Sequence, residues 1–190
     1  MMLRSEVYSH LLVTFIYFFV VSVLRFKLDW NLLGLWLGAL LGTFFLDIDH
    51  LLYWFVTHPE KEDSVEARKV WGLGGMGDIK EKIARIYQLL QRVHESHVRL
   101  IFHSVVGQGI LLVLAFYLLT SGGSIFGSAF IISISLHLLK DEWFDFFDGK
   151  KQHLSDWLFW QVRGISTEKH LSTYLIIVSA LFLVLTGLLI

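Results

Sequence analysis

The chain has 190 residues, of which 55% are hydrophobic and 15% aromatic, and its mean hydropathy is +0.60. A water-soluble domain of that length has too little interior to hide so much apolar surface. A net charge of -1 offers no global field for nucleic acid or another polyanion, and the absence of cysteine excludes disulfides, thiolate metal sites and cysteine nucleophiles.

With a single proline, continuous helices are favoured, so the composition predicts one all-α domain over residues 1–190, a polytopic membrane helix bundle. A spanning helix needs about 20 mostly apolar residues. The first candidate runs from Tyr8 to Leu24 and stops at Arg25 and Lys27. Glu6 and His10 at its start, with no small-residue cleavage pattern after Leu24, argue against a signal peptide.

The second candidate begins at Trp30, is uncharged from Leu32 to Leu46, and continues through Asp47, Asp49 and His50 to Thr57. Gly34, Gly38 and Gly42 recur every four residues, which places glycines on one face for close approach of a neighbouring helix.

A charged insertion follows over about 58–98, opened by His58 and Pro59. Its Gly72, Gly74 and Gly77 match G-x-G-x-x-G, but without a preceding strand the match reads as a flexible turn. Beyond it Ile79, Ile83, Ile86, Leu90, Val93 and His97 recur at three- and four-residue spacing, with Lys80, Lys82, Arg85 and Arg92 elsewhere on the wheel. That pattern predicts a cytoplasmic amphipathic helix lying on the membrane and leading into the next span.

The third span is Leu100 to Thr120, the fourth about Ile125 to Phe147 after a Ser-Gly turn, and the fifth Leu171 to Ile190. The linker before the fifth mixes Trp143, Trp157 and Trp160 with Lys150, Lys151 and Arg163, as at headgroup level. Basic residues cluster before span one, in the insertion and in the last linker, including Arg4 and Lys169; only Arg25 and Lys27 fall on the other side. Five spans with a cytoplasmic N-terminus are the consistent solution.

In that topology several ionisable residues reach one depth near the cytoplasmic face: His10 opening span one; Asp47, Asp49 and His50 on span two; His103 in the first turn of span three; His137 and Asp141 on span four. Each intramembrane charge costs about 2.5–3.5 kcal/mol on insertion scales, so such a layer predicts a polar site. His137, Asp141, Asp145 and Asp148 form one stripe, although Asp145 and Asp148 also fit as headgroup-level charges. Asp47 and His50 share a helix face, whereas Asp49 points elsewhere unless the helix distorts. Imidazole with carboxylate suits zinc, manganese or iron better than calcium. The duller alternatives are interfacial snorkelling, assigned to His58, His94, His153 and His170 with His97 marginal, and a structural salt-bridge cluster involving Lys140 or Arg99.

Leu46-Asp47-Ile48-Asp49-His50, Arg99-Leu100-Ile101-Phe102-His103-Ser104 and Leu136-His137-Leu138-Leu139-Lys140-Asp141 resemble, in order, the P-D-I-D-H, H-R-G-x-T-H-S and S-H-x-x-x-D signatures of the LexA-regulated inner-membrane family of metal-dependent hydrolases. His10, in Ser9-His10-Leu11-Leu12, resembles that family's early G-H. The departures are Leu46 for proline, Val98 for the first histidine of the second motif, with His97 one residue earlier, and Phe102 for threonine; the insertion also exceeds the usual separation.

The resemblance implies a multi-helix inner-membrane protein holding a metal through histidines and aspartates, and those donor types favour a divalent ion, zinc or manganese. Together these readings predict a metal-dependent phosphoesterase acting on membrane lipids or lipid-linked phosphates at the cytoplasmic leaflet. Asp47, His50, His103, His137 and Asp141 are the expected ligands, Asp49 the general base or a group behind the ligands, and Arg99 the substrate-phosphate contact. A divalent-cation transporter and a non-catalytic membrane scaffold are the alternatives.

Overall fold

The computed structural model describes residues 2–27, 29–72, 79–93, 96–162 and 170–190, with side chains from Glu6 onward. Gly74, Gly77, His94, Arg163, Lys169 and the side chain of Arg4 lie outside the described residues. The chain forms an all-α helical bundle.

Helix α1 (Met2–Arg25) winds the polar lead-in and the first apolar stretch into one helix, and ends where Phe26 takes a φ of 51°, the left-handed conformation that closes helices. Asp29 caps α2 (Trp30–Phe45) by accepting from the Asn31 amide at 3.0 Å. A Cβ on Gly38 would stand 2.3 Å from the Phe126 carbonyl oxygen, and one on Gly42 2.4 Å from that of Phe130. Glycine is thus what lets α2 lie backbone against backbone on the helix Ile125–Phe147.

The second span is not one regular helix. It breaks after Phe45, restarts as α3 (Ile48–Leu52), and finishes in a π-helical turn, Tyr53–Thr57, a distortion often found at functional sites. Helix α4 (Glu62–Gly72) and α5 (Ile79–Val93) follow. Leu89, Ala67, Tyr53, Trp54 and Leu100 form a small second core, with Ile86, Leu90 and Val93 packed against it, while Ile79 and Ile83 are exposed. Half of the amphipathic face of α5 is therefore used inside the protein, a correction to the picture of a helix lying wholly on the membrane.

Helix α6 begins at Val105, not Leu100, and runs to Thr120. Ser104 caps it through a 3.1 Å bond from the Gly107 amide, and the preceding residues are irregular. Helix α7 (Ile125–Phe147) packs against α1, α2, α6 and α9, and against α8 (Lys151–Leu158), a helix the headgroup-like composition of the linker did not announce. Burial of Leu154, Trp157 and Leu158 explains α8: its apolar side chains close the end of the bundle. Helix α9 (Leu171–Leu189) completes the fold and is tied to α1 by the 2.7 Å hydrogen bond between Tyr17 and Thr186.

Glu6–Arg25, Trp30–Thr57 and Leu171–Leu189 are long and apolar enough to cross a membrane, and Val105–Thr120 is a shorter apolar helix. Phe15, Phe19, Leu41, Val113 and Leu183 are exposed on the outside of these helices. An exterior so apolar fits lipid contact, and the protein is accordingly membrane-associated.

Candidate metal centre

At one end of the bundle a cavity of about 300 Å³ opens between α1, α2, α5 and α7. His10, Asp47, His50, His97, His103, His137, Lys140 and Asp141 all line it, together with Asp145, Lys150 and His153. Val7, Phe44, Leu90, Leu100 and Phe144 add apolar surface to its wall, and Glu6, Thr43 and Tyr87 line it as well.

The tightest group is His10, His137 and Asp141, whose ligand atoms lie within 4.8 Å of one another. The i, i+4 spacing on α7 brings His137 Nε2 to 3.1 Å from Asp141 Oδ2, and α1 brings His10 Nε2 to 3.1 Å from Asp141 Oδ1. The two rings stack with centroids 3.8 Å apart. Asp47, half-exposed at the break in the second span, places Oδ1 3.8 Å from His137 Nε2.

Proton placement follows from valence. His137 Nδ1 lies 2.6 Å from the Thr43 carbonyl oxygen, which can only accept, so the ring nitrogen donates. In the neutral ring the lone pair is then on Nε2, facing two carboxylates. Lys140 Nζ, which can only donate, sits 3.0 Å from His10 Nε2 and 3.2 Å from Asp141 Oδ1, so His10 also turns a lone pair toward the Asp141 side. Lone pairs aimed at one another repel unless a proton, the Lys140 ammonium or a metal ion lies between them. A divalent ion meets that need with the imidazole and carboxylate donors suited to zinc or manganese, and the backbone hold on Nδ1 is the usual orientation of a metal-binding histidine. The residues therefore fit a metal. Lys140 supplies part of the compensating charge, the role foreseen for it in a salt-bridge cluster.

Asp49 does not line this cavity. Its carboxylate is 1% exposed and accepts from the amides of Ile101 at 3.1 Å, Phe102 at 2.6 Å and His103 at 3.1 Å. The carboxylate thereby satisfies three amides ahead of α6 that have no helical partner. His103 accordingly sits before α6 rather than in its first turn, with Nδ1 3.3 Å from Asp49 Oδ2. Arg99 is exposed and is not among the cavity-lining residues.

No family model, curated protein or solved structure matches this chain. The site stands on its own geometry.

Of the sequence-derived candidates, Asp47, His50, His103, His137 and Asp141 share the cavity, whereas Asp49 and Arg99 lie off it. His10, read from the sequence as part of the polar layer and as resembling the early G-H but not as an expected ligand, belongs with the closest group. His97 is buried, pairing through Nδ1 with His50 Nδ1 at 2.9 Å and through Nε2 with Asp63 Oδ2 at 2.7 Å. Asp63, on α4, also accepts from the Trp54 indole at 2.8 Å. Burial pushes its carboxyl up, but these hydrogen bonds from His97 and Trp54 outweigh that and hold it below the usual aspartate range. Asp145 accepts from Trp157 at 3.0 Å, and Asp148 lies 3.3 Å from Lys150 at the end of α7. Sequence reading also passed over Glu142, wholly buried beside Gln108, whose Oε1 accepts from the Tyr174 hydroxyl.

If Asp49 is the peg for residues 101–103, Asp49→Asn leaves one carbonyl oxygen for three amides and should cost about 1–3 kcal/mol, read as a shifted midpoint in detergent-solubilised unfolding. Unchanged stability would contradict that structural role.

Proposed function

We propose that the chain is a metal-dependent hydrolase embedded in the inner membrane, cleaving a phosphoester of a lipid or lipid-linked substrate at the cytoplasmic leaflet. The observation that carries this reading is the convergence of His10, His137 and Asp141, with Asp47 nearby, on a cavity that Val7, Phe44, Leu90, Leu100 and Phe144 also line. The ordered motif resemblance points the same way.

His10, His137 and Asp141 would hold the ion, with Asp47, His50 and His103 available around the same cavity. A divalent ion bound there would lower the pKa of a water and offset charge building on the phosphoryl oxygens. Asp47 is partly exposed and near His137, so its carboxylate is placed to accept the water proton. Lys140, on the cavity wall, is better placed than exposed Arg99 to hold a substrate phosphate. Val7, Phe44, Leu90 and Phe144 give the first methylenes of a lipid chain an apolar surface. Asp49 orients the segment carrying His103 and takes no proton.

A carrier for divalent cations is the second reading, favoured by one observation. Buried Glu142 beside Gln108 and Tyr174 offers a second polar station inside the bundle. Against it, the His/Asp cavity opens at one end of the bundle and the sequence has no internal repeat.

The discriminating experiment reconstitutes wild type, Asp47→Asn and Lys140→Ala in liposomes containing phospholipids and polyprenyl phosphates, with zinc or manganese added, and follows phosphate release and metal uptake together. Release by wild type, a fall of about 10²–10⁴-fold in Asp47→Asn and no uptake is the expected pattern. Metal flux without hydrolysis would replace the enzyme by the carrier.

The proposed orientation places the N-terminus and the insertion in the cytoplasm. In this cysteine-free chain, a cysteine at Ser121 should react with an impermeant thiol reagent in intact cells, and one at Lys69 only after permeabilisation. Outside labelling at Lys69 would reverse the topology.

A further inference from the structure

Among the imidazoles lining the cavity, those of His137, His103 and His50 each have Nδ1 engaged by a partner. His137 is engaged by the Thr43 carbonyl oxygen at 2.6 Å, His103 by Asp49 Oδ2 at 3.3 Å, and His50 by His97 Nδ1 at 2.9 Å. The first two partners are acceptors on the second span. The third is another imidazole, which can play either part, so the direction of the His50–His97 hydrogen bond needs an outside reference.

Asp63 supplies it. Its Oδ2 lies 2.7 Å from His97 Nε2 and also takes the Trp54 indole N–H at 2.8 Å. A carboxylate only accepts, so His97 Nε2 donates. In a neutral His97 ring Nδ1 is then the lone pair, and His50 Nδ1 must be the donor toward it. The lone pair of His50 is thereby assigned to Nε2, the same tautomer that Thr43 gives His137. The chain of contacts is held rigidly: the His97 side chain is 1% exposed, that of Asp63 19%, and the Tyr53 ring stacks on His97 with centroids 4.0 Å apart.

We infer that Asp63, acting through His97, is a positioning residue that sets the tautomer of His50 so that Nε2 can serve as a metal ligand in the cavity. The segment between the second and third spans thereby completes the site instead of merely joining two helices. This rests on the metal reading above; groups that orient a metal-ligating histidine, as His97 under the hold of Asp63 orients His50, typically change metal affinity by about 10–100-fold when lost.

The test uses full-length protein labelled with ¹⁵N-histidine, as wild type, Asp63→Asn and Asp63→Glu, with His50→Gln to assign the His50 signals. Nitrogen shifts of the metal-free protein at about pH 8, where neutral rings dominate, report which ring nitrogen carries the proton; cobalt titration reports affinity. Asp63→Asn is expected to change the His50 nitrogen pattern while His137 keeps its own, and to weaken cobalt binding about 10–100-fold, with Asp63→Glu returning toward wild type. A His50 pattern unchanged in Asp63→Asn overturns the inference, and so does unchanged affinity in a protein whose wild type binds cobalt. Movement of His137 together with His50 also overturns it, since a general loosening is then the cause. A wild type that binds no cobalt defeats the metal reading separately, and the ligand role of His50 with it.

Discussion

Two imidazoles and a carboxylate packed at the end of an apolar bundle cannot all turn lone pairs toward one another unless a proton, the Lys140 ammonium or a metal ion lies among them, and the site is arranged around that constraint. Thr43 fixes His137 from behind, α1 stacks His10 on it, and Lys140 stands beside Asp141. In water such groups would be solvated separately. In a low-dielectric interior their mutual arrangement must supply the compensation, through hydrogen bonds and an ammonium, to which the proposed metal would add a shared ion.

The helices are shaped to deliver these side chains. Glycine contacts pin α2 against α7, which brings the Thr43 carbonyl to His137. Just beyond, the second span breaks, and that break separates the tasks of neighbouring acids: Asp47 remains at the cavity while Asp49 turns to the amides of residues 101–103. The departure from regular helix is thus coupled across two segments.

Hydropathy made the apolar helices legible, and glycine spacing correctly marked the close face of α2, because both signals are local. The polar layer was legible for the same reason: an ionisable residue within an apolar run carries a cost visible in one sequence. Pairings were not legible. Nothing in one sequence ties Asp63 to His97 and His50, or His10 to Asp141, since these contacts join residues far apart in the chain. The irregular segment before α6 was hidden because its amides are satisfied by a side chain some fifty residues earlier. Helix α8 was hidden because tryptophan among lysines describes a membrane interface as well as a packed cap.

X-ray absorption at the metal edge of zinc-loaded, dialysed protein tests the central claim most directly. The account predicts retained zinc with a first shell of nitrogen and oxygen, outer-shell scattering from at least two imidazoles, and loss of that scattering in His10→Ala, His137→Ala protein. Zinc removed by dialysis, or a shell of oxygen atoms alone without imidazole scattering, would contradict it.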